Sequence, residues 1–192
     1  MSYLENKVAL ITGGGTGIGR STALLFAKEG AEVFGVSRTQ ANLDETVKLV
    51  EAEGGTGSVF SADLSLPEGA EASVKQMMDT YGRIDILLNA AGVGYSLKET
   101  SIGSMDPVDT TPIDKWREVM ALNLDSLFYV CRLVIQQMKK QQQGSIVIVS
   151  SIFGMGGAPD AHTYTAGKGA SINLTKSMSV AYVDDNIRVN SV

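Results

Sequence analysis

Three side chains able to hold or move a proton stand in one stretch, SIFGMGGAPDAHTYTAGK at residues 151–168. Ser151 follows an apolar run, a loop with Gly154, Gly156, Gly157 and Pro159 comes next, and Tyr164 and Lys168 open a helical segment. Residues four apart share one face of a helix, so the phenol of Tyr164 and the ammonium of Lys168 are neighbours. A fixed positive charge beside a phenol favours its ionised form and makes it a readier proton donor. Ser151 can donate a second hydrogen bond to the same substrate oxygen. The chemistry is proton transfer to or from an oxygen that becomes, or was, a carbonyl. The spacing alone is weak evidence, because Tyr3 and Lys7 repeat it at the N-terminus. An exposed helical pair is worth only about 0.2–0.5 kcal/mol. What separates the second pair from the first is the set of elements around it.

Those elements alternate. Val8–Thr12 is a short apolar β-branched run, read as a buried strand, and GGGTGIG follows at residues 13–19. A helix is expected over residues 18–28, ended by Gly30. Further strands are expected at residues 32–37, 57–62, 84–88, 145–150 and 187–192. Further helices are expected at 43–53, from Pro67 to Gly82 with Ser65 as cap, from a cap at Asp114 to about Lys140, and at 164–183. Strand and helix in alternation, with short connections, imply parallel pairing through right-handed crossovers. The fold expected is an α/β, Rossmann-type, doubly wound sheet of strand order 3-2-1-4-5-6, built as a single domain over residues 1–192. Residues 90–112 break the rhythm with Gly92, Gly94, Gly103 and Pro107 and no clear period. Loops of that length inside a domain are usually functional or mobile.

Composition excludes several classes. A net charge of −5 and a pI near 4.9 argue against a nucleic-acid surface. The polar N-terminus has no signal-peptide character, and no apolar run reaches the length of a membrane span, so a cytoplasmic protein with no membrane partner is expected. The one cysteine, Cys131, lies in an apolar helical stripe and reads as a core residue in a reducing compartment. His162, the one histidine, has no ligand cluster near it, so it reads as a loop residue and no metal is expected.

A strand, a glycine loop and a helix present backbone N–H groups to a phosphate. Gly13 permits the tight turn off the strand, Gly17 lets backbone approach a pyrophosphate, and Gly19 permits close packing of the helix. The end of the second strand meets the adenosine ribose in such folds, where a carboxylate would accept from a 2′-hydroxyl. Ser37 and Arg38 stand there instead. Serine leaves room and arginine pairs with phosphate, which favours NADP(H) over NAD(H). Asp63, ending the third strand, is placed to accept from an adenine amino group or to cap a turn.

The chain resembles the short-chain dehydrogenase/reductase family, NADP-type carbonyl reductases and 3-oxoacyl-carrier-protein reductases in particular, from Lys7 to Val192. TGGGTGIG, with Thr16, Gly17, Ile18 and Gly19, is similar to the family's TGxxxGxG cofactor loop. Asp63-Leu64 resembles its adenine-contacting step, and Asn89-Ala90-Ala91-Gly92 its NNAG segment, with Ala90 in place of the second Asn. Asn123, Ser151, Tyr164 and Lys168 fall at its catalytic tetrad, with the thirteen-residue interval from 151 to 164 usual there. The resemblance implies that Tyr164 gives or takes the proton and that Ser151 orients the substrate oxygen. It implies that Lys168 also holds the nicotinamide ribose and that Asn123 holds a water; an amide satisfied by backbone is the other reading of Asn123.

Two features depart from the family pattern. Residues 90–112 make a longer loop, which alters the pocket rim. The sequence also stops at Val192, where the family continues with a nicotinamide-contacting turn, a lid, a helix and an edge strand, so a C-terminally truncated domain is expected. The function expected is hydride transfer between NADP(H) and a small-molecule carbonyl or secondary alcohol. The alternative is an NADP(H)-binding regulatory or interaction module without turnover. Apolar stripes through Met120, Leu127, Cys131 and Val134, and through Ala170, Leu174, Met178 and Ala181, exceed what one sheet covers. A homodimer or homotetramer is therefore expected, with helices paired across a two-fold axis.

Overall fold

Apolar side chains alternate between the two faces of six short strands, and each face has its own helices. The computed structural model describes residues 2–192. The strands are β1 (Val8–Thr12), β2 (Glu32–Ser37), β3 (Thr56–Ser61), β4 (Ile86–Asn89), β5 (Gly144–Ile148) and β6 (Ile187–Ser191). All pairs are parallel, in the expected order β3-β2-β1-β4-β5-β6. The helices are α1 (Gly17–Lys28), α2 (Gln40–Ala52), α3 (Pro67–Tyr81), α4 (Leu97–Thr100), α5 (Ile113–Met120), α6 (Ser126–Gln141) and α7 (His162–Ala181).

Leu10, Phe34 and Leu87 point to one side, where α3, α6 and Met178 of α7 pack on them. Their neighbours Ile11, Val33 and Leu88 point to the other, under Ala23 and Ala27 of α1 and Val50 of α2. Near-continuous apolar strands are what a parallel sheet buried on both faces requires. Each large side chain removed from water in this way contributes about 1.5–3 kcal/mol.

Several boundaries differ from the sequence expectation, each for a local reason. β4 begins at Ile86 because Asp85 is engaged before the strand. Its buried carboxylate accepts from Val8 N at 2.9 Å and from Arg83 Nε at 2.9 Å. Ser65 does not cap α3; it bonds to Asp63, and Leu66 precedes Pro67 as the extended N-cap. Asp114 lies inside the first turn of α5, whose N-cap is Pro112. α7 opens at His162, two residues before Tyr164, from Ala161 in the left-handed region at φ +56. The long helix expected up to Lys140 is interrupted by a π turn over Ala121–Asp125. The long loop contains α4 and is anchored throughout its second half, as described below.

Candidate active site

The strand order reverses between β1 and β4, and the crevice opens at the carboxyl ends of these two strands. That is where open α/β sheets place ligands. Thr12 ties the two ends together: its buried hydroxyl donates to Asn89 Oδ1 at 3.1 Å and accepts from Ala91 N at 3.1 Å. The glycine loop is held from behind. Arg20 Nη2 donates to Gly15 O at 2.6 Å, and Thr46 Oγ1 donates to Gly14 O at 2.9 Å. With these carbonyls engaged away from the crevice, the loop has N–H groups to offer an anion. A side chain at Gly19 would begin 2.2 Å from Gly13 O, so the residue there must be glycine for the loop to close against α1. Beside Gly17 nothing lies within 4 Å of where a side chain would start, which leaves room for a ligand.

The crevice is a cleft of about 290 Å³ whose walls include Gly13, Thr16, Ser37, Arg38, Asp63 and Leu64. Four features fit a dinucleotide. The Ser37 hydroxyl is buried and has no partner. The Arg38 side chain is exposed at the rim and makes no ion pair among the described residues. Asp63 uses Oδ1 to accept from Ser65 N at 3.0 Å and Ser65 Oγ at 2.7 Å, an Asx turn that leaves its second oxygen available. Gly92 and Val93 close the inner end of the cleft. Ile18 is exposed on α1, whereas Asn89 is buried beneath the loop and Ala90 lies against Gly13.

The proton-transfer residues gather beyond that inner end. A side chain at Gly92 would begin 2.6 Å from Asn123 Oδ1 and 3.6 Å from Lys168 Nζ, so this segment touches both. Asn123 sits in the π turn, a form of helix often found at functional sites. Its Oδ1 accepts from Val93 N at 2.8 Å and its Nδ2 donates to Val93 O at 3.0 Å. The side chain is thus satisfied by backbone and fixes the segment after Gly92. Lys168 is 7% exposed, and its Nζ donates to Val149 O at 2.8 Å. Burial pulls its pKa below the ordinary lysine range. The Tyr164 ring centroid lies 5.8 Å from this ammonium. The adjacent serines differ: Ser150 Oγ donates to Lys168 O at 3.2 Å, tying the segment after β5 to α7. Ser151 Oγ accepts from Phe153 N at 3.2 Å, so its own hydrogen is available to a substrate oxygen.

The long loop braces Tyr164. Ala161 N donates to Met105 O at 2.9 Å, Val108 N donates to His162 Nδ1 at 2.8 Å, and Thr163 Oγ1 donates to Ser104 O at 2.5 Å. Three consecutive residues before Tyr164 are therefore held by one segment. Met105, fully buried, packs with Val119, Ala161 and Tyr164. Ser101 Oγ fastens the same loop to Glu118 at 2.7 Å, and with Lys115 it holds that carboxyl below its usual range. His162 is thus part of the scaffold rather than a free loop residue. None of Met105, Thr163 or Ala161 could be singled out from sequence, since their partners lie more than fifty residues away and no short-range pattern marks them. Thr12 could have been, as the first letter of the glycine motif.

The chain matches the short chain dehydrogenase family over residues 7–192 and belongs to it. It is 40% identical over 191 residues to a 3-oxoacyl-[acyl-carrier-protein] reductase of Thermotoga maritima, covering 98% of this chain and 73% of that protein. It is 35% identical over 191 residues to cyclohexanol dehydrogenase of an Acinetobacter species, covering 98% of this chain and 72% of the relative. Among solved structures, an NAD+-bound xylitol dehydrogenase superposes with a TM-score of 0.91 at 31% identity, over 98% of this chain and 70% of that one. The protein is therefore an oxidoreductase of a family that uses a nicotinamide cofactor. The three relatives are named for a 3-oxoacyl-[acyl-carrier-protein], cyclohexanol and xylitol, so family membership alone names no substrate. Among the described residues, no helix is long and apolar enough to cross a membrane.

Proposed function

We propose that this protein is an NADP(H)-dependent oxidoreductase that interconverts a carbonyl and a secondary alcohol. The observation that carries the reading is the cleft together with what abuts its inner end. Its outer end holds the orphaned Ser37 hydroxyl and the unpaired Arg38. Gly92 at its inner end lies against Lys168, whose ammonium is 5.8 Å from the Tyr164 ring centroid, and Ser151 follows Val149 and Ser150, which both bond Lys168. The glycine loop that starts at Gly13 would hold the pyrophosphate through Thr16, Gly17 and Ile18, since the Gly14 N–H is already given to Val36 O at 3.1 Å; Ser37 and Arg38 would hold the 2′-phosphate, and Asp63 and Leu64 the adenine. Asn89, Ala90 and Gly92 would line the far ribose, and Lys168 would hold its hydroxyls. When bound, the nicotinamide supplies the hydride in reduction and accepts it in oxidation. Tyr164 gives its hydroxyl proton to the substrate oxygen as that oxygen gains charge, and takes it back in the reverse direction. Ser151 donates to the same oxygen. Asn123 keeps Val93 and Gly92 in place, and a water could meet only the part of its amide that Val93 leaves open. The same reading makes the protein a cytoplasmic homodimer or homotetramer.

NADPH oxidation against cyclohexanone and an acetoacetyl thioester tests the proposal. Turnover of at least one is expected. Tyr164→Phe should lower it by about 100-fold or more, the scale of a general acid, while NADPH binding persists. NADPH binding without turnover of any carbonyl would favour the regulatory-module alternative. Unchanged turnover in Tyr164→Phe would move the proton donor elsewhere.

A further inference from the structure

Two aromatic side chains stand with Tyr164 and form a wall that the cofactor chemistry does not use. Tyr95, in the loop before α4, has its ring 6.3 Å from that of Tyr164 and 5.8 Å from that of Phe153, at interplanar angles of 54° and 64°. The wall therefore stands beside Tyr164, and its Phe153 gives its backbone N–H to the Ser151 hydroxyl at 3.2 Å.

The polar end of Tyr95 is engaged: its hydroxyl donates to Asp160 Oδ1 at 2.9 Å. Asp160 Oδ2 faces Lys98 Nζ at 3.7 Å, so carboxylate and ammonium answer one another. The Asp160 hydrogen bond raises the Tyr95 pKa, which keeps the phenol a donor. A substrate carbon chain laid against this wall meets aromatic rings. Hydroxyls along such a chain would lose water without gaining partners, which is unfavourable, whereas apolar carbon gains by contact with aromatic surface.

We propose that Tyr95, held in place by Asp160, is the specificity-determining residue of the site and selects an apolar secondary alcohol or ketone over a polyol. The inference rests on the carbonyl–alcohol reading above and names its substrate class. Tyr95 is the wall; Asp160 is a positioning residue that acts through it.

The test compares cyclohexanol with xylitol as substrates with NADP+, together with saturation-transfer NMR of cyclohexanone on the NADP+-loaded protein. The unmodified protein should prefer cyclohexanol and bind cyclohexanone. Tyr95→Ala should raise the KM for cyclohexanol by ~10-fold or more, with a smaller change in kcat and an unaltered NADPH dissociation constant. Asp160→Ala should raise the same KM by ~3-fold, and Asp160→Asn, which keeps an acceptor oxygen for Tyr95, should restore it. An unchanged cyclohexanol-to-xylitol preference in Tyr95→Ala overturns the proposal. So does a wild-type protein that oxidises xylitol but does not bind cyclohexanone, and in that case the oxidoreductase reading stands. Cyclohexanone binding that Tyr95→Ala abolishes, with no turnover of any alcohol, supports the wall and removes the oxidoreductase reading.

Discussion

Lys168 sets folding against function. Its ammonium is buried with one protein partner, Val149 O, so two of its three donors have none in the apo protein. Burial lowers its pKa, so the unfolded chain binds more protons than the native one between that lowered value and the ordinary 10.5. Stability therefore rises with pH across that window. Lys168→Met should raise the urea midpoint of the apo protein. The gain should be full below the native pKa and shrink towards pH 10.5, while cofactor affinity falls. Urea titrations of both proteins at several pH values check this, and a gain that grows with pH would contradict it. The cofactor end gives a second prediction at this scale. Arg38→Ala should weaken NADPH by about tenfold or more, the scale of a lost charge-assisted contact of 1.5–3 kcal/mol, and NADH much less. Fluorescence titration with both nucleotides decides it; equal losses would remove the NADP preference. The spacing of Tyr164 to Lys168 and the pair Ser37-Arg38 were legible in the sequence because each concerns neighbours along one element. That Asn123 is bonded at both ends to Val93 was not, because the bond joins residues thirty positions apart.

At the scale of elements, the long loop is a brace for the start of α7. The left-handed Ala161 is the junction, and its N–H is held by Met105 O. A non-glycine residue in that region costs about 1–3 kcal/mol and persists only where its surroundings hold it. Met105→Ala should destabilise the protein by about 2–5 kcal/mol, the range for a buried Met truncated to Ala. It should also lower kcat more than it weakens NADPH, because the cofactor cleft does not use the loop's second half. Urea unfolding, kcat and NADPH binding together check this; a stability loss with kcat unchanged would make the loop a packing element only. The alternation of strands and helices was readable from apolar runs and glycine stops, whereas the sheet order came with the Rossmann-type reading of the glycine loop and the family resemblance, and it is the order observed. The loop's role was not readable, because its order comes from contacts with Ala161, His162, Thr163 and Glu118, all distant in sequence. The π turn was hidden for a related reason: Ala-Leu-Asn-Leu-Asp continues the helical period, and only the tertiary bonds of Asn123 mark the place where it widens.

For the whole molecule, the unanswered surface lies on the outer face of α6 and α7. Of the apolar residues on α6, Leu127, Cys131 and Val134 form the stripe that faces the sheet and belong to the core. The outward apolar residues are Phe128 on α6, 50% exposed, and Val180 on α7, 77% exposed. Beside Phe128 runs a groove of about 270 Å³ walled by Ile135, Leu174 and Tyr182 and bordered by Arg132 and Lys139. A large aromatic side chain next to an apolar groove on the same two helices is self-complementary under a two-fold axis: Phe128 of one subunit can enter the groove of the other, and the reverse. The apolar centre with a charged border has the anatomy of an interface. The family commonly oligomerises, which points the same way. The expected state is a homodimer or homotetramer at micromolar concentration, by light scattering. Phe128→Glu should shift it towards monomer, because the aromatic contact is lost and a carboxylate would have to give up water at the groove's apolar centre. A variant at Leu25, exposed on the opposite face of the sheet, should leave the mass unchanged. A monomeric wild-type protein would show that α6 and α7 need no second subunit; an oligomer indifferent to Phe128→Glu would place the interface elsewhere.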